Sequence, residues 1–424
     1  MLDINYIRNN KDLVKQATKD KQLDVSVVDN LLDVDEKRRQ LIKEVDAIRQ
    51  QINQNADKIK QQVQQGGKPE AADIEQGKKL KTQLKEIEPK LREIEEKFNN
   101  LILQVPNIPA DDVPVGADES GNKVIKQVGD KPQFNFEPQP HDKLMYDLDL
   151  LDTQRAVKIA GFRSYFLKNE AVLLEQALLQ YSLHAMIEHG FTPMTVPTMV
   201  NKEALVGTGY FPWGEDDHYT TQDATHLTGT AEVALTAYYQ GDTLTEKDLP
   251  IKMVGISPCF RREVGSHGKD TSGIIRVHQF NKVEQVIYTI ADEEETIKWH
   301  EKMTQFSEKI LQDLELPYQI LAMCSGDMGA GQRKKYDIET WFPAQNKYRE
   351  THSASYFLDF QSRRLNIRYQ DKKGELKHVY TLNNTVAASP RLLAAIIENY
   401  QQADGSIKVP TVLQKYVGKE SISR

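Results

Sequence analysis

Charged and aromatic residues concentrate in two neighbouring segments of the chain, Pro258–Glu263 and Arg276–Glu284. We expect these segments to be the strands of a hairpin, joined by a Gly-rich loop. Side chains alternate faces along a strand, so the hairpin should collect several chemically active groups on one surface. They are Arg276, His278, Phe280, Lys282 and Glu284 on the second strand, and Arg261 and Glu263 on the first.

This set of side chains suits a particular kind of ligand. Arginine can grip a phosphate through two parallel hydrogen bonds, and an aromatic face can stack on a flat base. Carboxylates can bind an ammonium group. The surface therefore predicts a site for a nucleotide and an amino acid. The alternative is a solvated edge hairpin with surface salt bridges, because exposed charged faces are common.

Length, charge and cysteine content narrow the class of protein. The 424 residues, 39% of them hydrophobic, suffice for two or three domains with a substantial core. With 55 basic and 62 acidic residues the net charge is −7, so any RNA contact must be local. Cys259 and Cys324 cannot build a disulfide framework, and no Cys/His cluster has zinc-ligand spacing. We expect neither thiol to act in catalysis.

Targeting and membrane signals are missing from the pattern. The N-terminus is charged throughout and lacks an apolar signal segment, and long apolar stretches such as Ala171–Leu179 are interrupted by polar residues. We therefore expect a soluble, cytoplasmic protein.

Two apolar seams with helical spacing dominate the N-terminal quarter. They run over Leu31–Val63 and Ile74–Leu101, on either side of the break Gly66–Pro69. The pattern predicts two helices that fold back as an antiparallel coiled-coil hairpin. At about 1.5 Å per residue, each limb would be roughly 45 to 50 Å long. Pro89 predicts a local bend in the second limb.

The two ends of this predicted hairpin differ in charge. The base is rich in acidic residues, whereas basic residues exceed acidic ones in the distal half. A basic tip could clamp an RNA backbone, because phosphate contacts are local. A solvated coiled-coil surface or a dimerisation rod stays open as the alternative. The candidate RNA-binding lysines are Lys58, Lys60, Lys68, Lys78, Lys79, Lys81 and Lys85.

The rest of the chain is predicted to form a linker and a body of mixed α-helical and β-sheet structure. Prolines and glycines over 106–140 indicate a linker, which leaves 1–105 as the arm and 141–424 as the body. Strands joined by hairpins rather than crossover helices favour an antiparallel sheet flanked by helices, an α+β fold. We expect helices at 170–188 and 293–314, and strands at 191–196, 252–260, 273–290, 318–323, 334–341, 347–353, 365–369 and 377–382.

A final helix is predicted near the C-terminus. Ser389 has the character of an N-cap and Pro390 that of a first helical residue, before the apolar run Leu392–Ile397. Arg391 then lies in the first turn, from which it could reach an anion. The alternative is a simply exposed arginine, because a cation there opposes the helix dipole.

At this point the motifs resemble a known family. The segments 261–263 and 276–284 resemble motif 2 of class II aminoacyl-tRNA synthetases, and Ala388–Arg391 resembles motif 3. The helix before Gly190, with Phe191–Pro197, is similar to the interface-forming motif 1. Further segments are similar to seryl-tRNA synthetases, and the likeness covers essentially the whole chain. These segments are Thr228–Glu232, Gly265–Thr271, Pro343–Ser353 and Asp359–Arg364.

The resemblance implies roles for individual residues. The serine pocket would comprise Thr230, Ala231, Glu232, Glu284 and Thr385. The ATP site would comprise Arg261, Arg262, Glu263, Arg276, Val277, Phe280, Glu350, Thr351, His352, Ser353 and Arg391. Magnesium would be held by Glu350 and Ser353, and no zinc is expected. The catalytic residues would be Arg261, Glu263, Arg276 and Arg391. The chain departs from the family at Asn384, where many members have glycine.

The resemblance also implies an activity and partners. It implies a homodimeric ligase that activates L-serine with ATP and transfers it to the 3′-terminal adenosine of tRNA(Ser), while the arm grasps the tRNA. Charging of tRNA(Sec) stays open. One alternative is a paralogue that activates a small amino acid for a carrier protein. Another is an RNA-binding scaffold with an inactive body.

Overall fold

The computed structural model describes residues 1–265, 268 and 272–424. The loop 265–271, which carries part of the family resemblance, therefore lies mostly outside the described residues.

Helices are present in both the N-terminal and the C-terminal parts of the described chain. They are α1 (Ile4–Asn9), α2 (Lys11–Asp20), α3 (Ser26–Gln64), α4 (Ala71–Ile102), α5 (His141–Asp147), α6 (Thr153–Ala160), α7 (Glu170–Glu188), α8 (Lys202–Thr208), α9 (Glu232–Ala237), α10 (Glu293–Asp313), α11 (Phe360–Leu365), α12 (Ser389–Asn399) and α13 (Thr411–Val417).

The strands all follow α4 in the chain. They are β1 (Lys123–Val128), β2 (Leu151–Asp152), β3 (Phe166–Leu167), β4 (Thr192–Thr195), β5 (Met199–Val200), β6 (Tyr219–Thr220), β7 (His226–Leu227), β8 (Thr243–Thr245), β9 (Ile251–Phe260), β10 (Gln279–Thr289), β11 (Tyr318–Ala322), β12 (Lys334–Phe342), β13 (Lys347–Leu358), β14 (Arg368–Gln370), β15 (Leu376–His378), β16 (Tyr380–Ala388), β17 (Ile407–Lys408) and β18 (Ser421–Ile422).

The chain divides into two compact units. One contains residues 2–19 and 23–106, and the other contains residue 1, residues 20–22 and residues 107–424. We call the first the helical unit and the second the body.

In the helical unit, α3 and α4 form the predicted antiparallel hairpin. An ion pair joins Arg49 to Glu88 (2.9 Å), and another joins Lys58 to Asp73 (2.8 Å). These two pairs show that the limbs are antiparallel, because the residue number rises along α3 where it falls along α4. Apolar seam residues are buried between the limbs, and α4 continues across Pro89 as one helix. The buried seam includes Leu31, Val45, Leu80, Ile87 and Phe98.

Two short helices that no sequence pattern predicted precede the hairpin. The carboxylate of Asp3 caps α1 by accepting hydrogen bonds from the backbone N–H groups of Asn5 and Tyr6. Ile7 of α1 and Val14 of α2 are fully buried. Each of these short helices therefore contributes a fully buried apolar side chain.

The body is built on an eight-stranded sheet in the order β1-β11-β12-β13-β16-β10-β9-β4. Every neighbouring pair is antiparallel except β4 and β9, which are parallel. Helices α7, α10 and α12 pack against the sheet, and Leu392–Ile397 of α12 is fully buried. The predicted α+β fold with an antiparallel sheet is confirmed.

The segment 106–140, which we predicted as a linker, contains β1. This strand pairs with β11 and forms one edge of the large sheet. Its residues are mostly exposed, which explains why no apolar alternation identified it in the sequence.

Several predicted strands have different bounds. The strand predicted at 273–290 is β10, which begins only at Gln279. Arg276 and His278 therefore precede the strand, while Arg261 and Glu263 follow β9. Glu263 has a positive φ of 56°, which turns the chain out of the extended conformation. The strand predicted at 365–369 was wrong at its start, because Leu365 ends α11 and β14 begins at Arg368.

The other C-terminal elements differ in detail. The prediction at 377–382 covers two strands, β15 and β16, and the strand predicted at 347–353 continues to Leu358. The N-cap of α12 is Ala388, so Ser389 is already helical, and Arg391 lies in the first turn as predicted. A further helix, α13, follows α12.

None of the helices in the described residues is both long enough and apolar enough to cross a bilayer.

Candidate active site

An open cavity of about 220 Å³ lies where β10, β13, β16 and α12 meet. β10 contributes alternate residues, Phe280, Lys282 and Glu284, as the strand pattern predicted. Arg261 and Glu263 line the same cavity from the segment that follows β9. The wall is completed by Glu350, Thr351, His352 and Ser353 of β13, Asn383 and Thr385 of β16, Arg391 of α12, Glu232 of α9, and Tyr210.

One end of the cavity carries two buried carboxylates. Glu284 pairs with Lys282 (Oε2 to Nζ, 2.6 Å), and both side chains are almost fully buried. Thr385 stands opposite Glu284 on β16 and donates its hydroxyl to Glu284 Oε2 (3.2 Å). Burial and the nearby charge of Glu284 raise the pKa of Glu232 to about 7. This end can accept hydrogen bonds from an ammonium and a hydroxyl group.

Thr230 and Ala231 support this end without lining it. Both are buried, and the Thr230 hydroxyl accepts a hydrogen bond from the backbone N–H of Glu232 (3.1 Å). Ala231 is the N-cap of α9, whose first residue is Glu232. The short helix therefore fixes the backbone position from which the Glu232 side chain extends.

The other end of the cavity is cationic and aromatic. The guanidinium of Arg261 lies 5.4 Å from the centre of the Phe280 ring. Arg391 donates from Nη1 to both the carbonyl (2.9 Å) and Oε2 (3.0 Å) of Glu350. Arg391 Nε also donates to the carbonyl of Ile275 (3.2 Å), the residue directly before the predicted motif 2 segment 276–284.

Glu350 is an ionised carboxylate within this cationic end. Burial alone would raise its pKa, but Arg391, Lys335 and Arg261 outweigh burial and lower the pKa to about 2. Glu350 is therefore charged throughout the neutral range.

Arg276 lies beside this cavity rather than in it. It lines a neighbouring cavity of about 450 Å³, and Lys335, Glu350 and Arg391 line both. Arg276 Nη1 donates to Glu263 Oε2 (2.6 Å). The predicted sharing of one strand face by Arg276 and Phe280 was wrong, because the chain before Gln279 is irregular.

Other predicted residues lie away from the cavity, have hydrogen-bond partners of their own, or only border it. Arg262 is exposed and donates to the Asp216 carbonyl (2.8 Å), away from the cavity. The Thr351 hydroxyl bonds that of Thr340 (2.7 Å), and His352 Nε2 bonds the carbonyl of Val386 (3.1 Å). Burial lowers the pKa of His352 to about 4, so the imidazole is neutral. Val277 is buried and borders the cavity.

The two cysteines are free and buried, and neither lines this cavity. The hairpin lysines that we predicted as RNA contacts are all exposed, and of these Lys58 pairs with Asp73.

Sequence reasoning missed several residues that line the cavity. It placed Lys282 on the correct face but gave it no role, and it did not consider Asn383. Alternation could have found Asn383, because it is two residues from Thr385 on the same strand. Asn384 points the other way, donating to the carbonyl of Met303 (2.7 Å) and the hydroxyl of Ser307 (2.9 Å). Tyr210 lies outside any motif and gave no signal.

The fold and the site define a class. Residues 216–400 match the family model of the tRNA synthetase class II core domain (G, H, P, S and T). Residues 1–109 match the model of the seryl-tRNA synthetase N-terminal domain. The body thus contains a class II synthetase core.

Relatives narrow the class to one family. The chain is 43% identical over 423 residues to a serine–tRNA ligase of Deinococcus radiodurans, covering 100% of this chain and 99% of the relative. A crystal structure of seryl-tRNA synthetase from Pyrococcus horikoshii complexed with ATP has a TM-score of 0.92 at 38% identity, covering 100% of this chain and 99% of that one. For a cytoplasmic serine–tRNA ligase from Naegleria fowleri in complex with AMP the TM-score is 0.87 at 30% identity, with coverage of 100% and 99%. The chain belongs to the seryl-tRNA synthetase family.

Proposed function

We infer that this protein is an ATP-dependent ligase that activates L-serine as seryl-adenylate and transfers the serine to tRNA(Ser). The observation that carries this inference is the polarity of the cavity. Buried carboxylates with a hydroxyl occupy one end, and arginines with an aromatic ring occupy the other. A small hydroxylated amino acid and a nucleoside triphosphate have complementary groups in the same order.

The first half-reaction needs no nucleophile from the protein. The carboxylate of serine attacks the α-phosphorus of ATP, the bond to the β-phosphate oxygen breaks, and pyrophosphate leaves. Arg261 would bind the α-phosphate, a role supported by its position at the cationic end of the cavity, 5.4 Å from the centre of the Phe280 ring. Arg391 and Arg276, which line the neighbouring cavity, suit the departing phosphates. Alignment and charge neutralisation are the protein's contribution.

Serine recognition belongs to the carboxylate end. Glu232 and Glu284 can accept from the ammonium and the hydroxyl, and Thr385 adds a further polar contact. A pocket built to bond a hydroxyl discriminates against alanine, because the loss of that partner leaves buried polar groups unpaired.

Magnesium fits the residues at the phosphate end. Glu350 is ionised and Ser353 lines the same cavity, so one carboxylate and one hydroxyl are available. Mg²⁺ commonly takes one or two protein carboxylates and completes its shell with phosphates and water. Among the described residues, no group of three or more His, Cys, Asp and Glu side chains could hold a metal by itself. A bound Mg²⁺ would neutralise phosphate charge, and Glu350 and Ser353 would orient it.

In the second half-reaction a hydroxyl of the 3′-terminal adenosine of tRNA attacks the seryl carbonyl, and AMP leaves. We propose that the hairpin in residues 1–105 supports this step by binding the tRNA backbone through its exposed lysines. We further propose that the enzyme works as a homodimer in the cytoplasm.

Replacing Arg261 tests the assignment of the cavity. Arg261→Ala should reduce serine-dependent ATP–pyrophosphate exchange by about a hundredfold or more, because a preorganised cation at the reacting phosphate is lost. Arg262→Ala is the matched control, since the adjacent arginine donates to a backbone carbonyl outside the cavity. It should keep most of the exchange. Near-normal exchange in Arg261→Ala would contradict the adenylation assignment.

A further inference from the structure

Glu232 is held at both of its carboxylate oxygens by residues outside the predicted site. The phenol of Tyr210 donates to Oε2 (2.8 Å), and the side-chain amide of Gln361 donates from Nε2 to Oε1 (3.0 Å). Each oxygen has two lone pairs, so these bonds leave acceptor capacity for a substrate. Glu232 itself is only 5% exposed and lines the cavity.

The orientation of Gln361 is fixed by two further partners. Its Nε2 donates to the backbone carbonyl of Thr208 (2.9 Å), and its Oε1 accepts from the hydroxyl of Thr381 (2.6 Å). A carbonyl can only accept, so the –NH₂ end must face Thr208 and with it Glu232. Gln361 is almost fully buried and cannot turn without losing these bonds.

The Tyr210 phenol likewise acts only as a hydrogen-bond donor to Glu232. Burial and the charge of Glu232 raise the pKa of its phenol well above the ordinary value of 10.0, so the proton stays on the oxygen. Both backbone groups of Tyr210 are hydrogen-bonded. Its N–H donates to the Leu205 carbonyl, and its carbonyl accepts from the Gly214 N–H.

The groups around Glu232 have opposite effects on the pKa of its carboxyl. Burial and Glu284 favour the protonated carboxyl, whereas the bonds from Tyr210 and Gln361, and the charge of Lys282, favour the ionised form. The loss of one donor should therefore raise the pKa of Glu232 further and favour the protonated carboxyl.

We propose that Tyr210 and Gln361 are positioning residues for serine recognition, which hold the Glu232 carboxylate in place and favour its ionised form, with its free lone pairs toward the amino acid. This inference rests on the proposed function of the cavity. It assigns the two residues a role that acts through Glu232 rather than through contact with ATP.

The test is the pH profile of serine activation in Tyr210→Phe. This variant keeps the ring and removes only the donor, so Glu232 should bind its proton more readily. We expect the acid limb of kcat/KM for serine, measured by ATP–pyrophosphate exchange, to move up by about half a pH unit to one unit. Near pH 7 the KM for serine should rise about three- to tenfold, while the KM for ATP stays unchanged. Gln361→Met should shift the limb in the same direction.

Tyr288→Phe is the matched control. The Tyr288 hydroxyl also donates to α9, at the Leu235 carbonyl (2.6 Å), but does not touch Glu232. Tyr288→Phe should leave the acid limb of the pH profile unchanged, even if the substitution lowers the melting temperature. An unshifted limb in Tyr210→Phe, or an equal shift in Tyr288→Phe, would overturn the inference. Absence of serine-dependent exchange in the unaltered protein would instead count against the proposed function.

Discussion

Single side chains decide what the cavity can bind. Lys282 and Glu284 form a buried ion pair at the carboxylate end of the cavity, two residues apart on β10. Charges removed from water are costly unless they are paired, so each side chain of this pair depends on the other. Lys282 also lowers the pKa of Glu232, which extends its influence to both carboxylates.

Lys282→Met should therefore destabilise the protein and weaken serine binding together. It leaves Glu284 buried without its cation, a loss of roughly 3 to 5 kcal/mol. It should also raise the pKa of Glu232, so serine activation would fall further as the pH drops toward 7 and below. Thermal unfolding and the pH profile of exchange measure the two effects. Lys143→Met, which breaks an exposed pair with Asp147, should change stability by only about 0.5 kcal/mol. Equal effects of the two variants would contradict this account.

At the scale of elements, sequence periodicity correctly predicted the side-chain positions that lie within regular strands and helices. The alternation along β10 correctly placed Phe280, Lys282 and Glu284, and the Ser-Pro start of α12 correctly placed Arg391 in the first turn. The irregular chain before Gln279 defeated the same argument for Arg276, because side-chain alternation holds only within a strand. Tyr210 and Gln361 meet Glu232 through tertiary packing, which no local pattern encodes.

The hairpin offers a prediction of its own. Removing residues 50–87 and closing the limbs with a short turn keeps Arg49 and Glu88, whose ion pair links the limbs. Serine-dependent exchange should persist, because the cavity belongs to the body, whereas charging of tRNA(Ser) should fall about tenfold or more through lost phosphate contacts.

Charge reversal separates a loss of contacts from a loss of length. Replacing Lys78, Lys79 and Lys81 with Glu should weaken charging most at low salt. Lys90→Glu, on the same helix nearer its base, should have a smaller effect. Undiminished charging by the shortened protein would rule out tRNA binding by the hairpin.

At the scale of the whole molecule, two compact units divide the proposed work. The body holds the cavity for serine and ATP, and the helical unit carries the exposed lysines, within a chain of net charge −7. RNA binding therefore depends on where the basic residues lie, since the overall charge repels phosphate. In the sequence, the two helical seams and the Pro/Gly-rich segment after them predicted a helical arm followed by a body.

The most direct measurement is ATP–pyrophosphate exchange by the unaltered protein with serine, threonine, alanine or glycine as the only amino acid. The cavity should support rapid exchange with serine and very little with alanine or glycine, because its carboxylates and Thr385 require a hydroxyl partner. Threonine should be a poor substrate. Equal exchange with alanine or glycine would favour a paralogue that serves a carrier protein, and no exchange with serine would contradict the account.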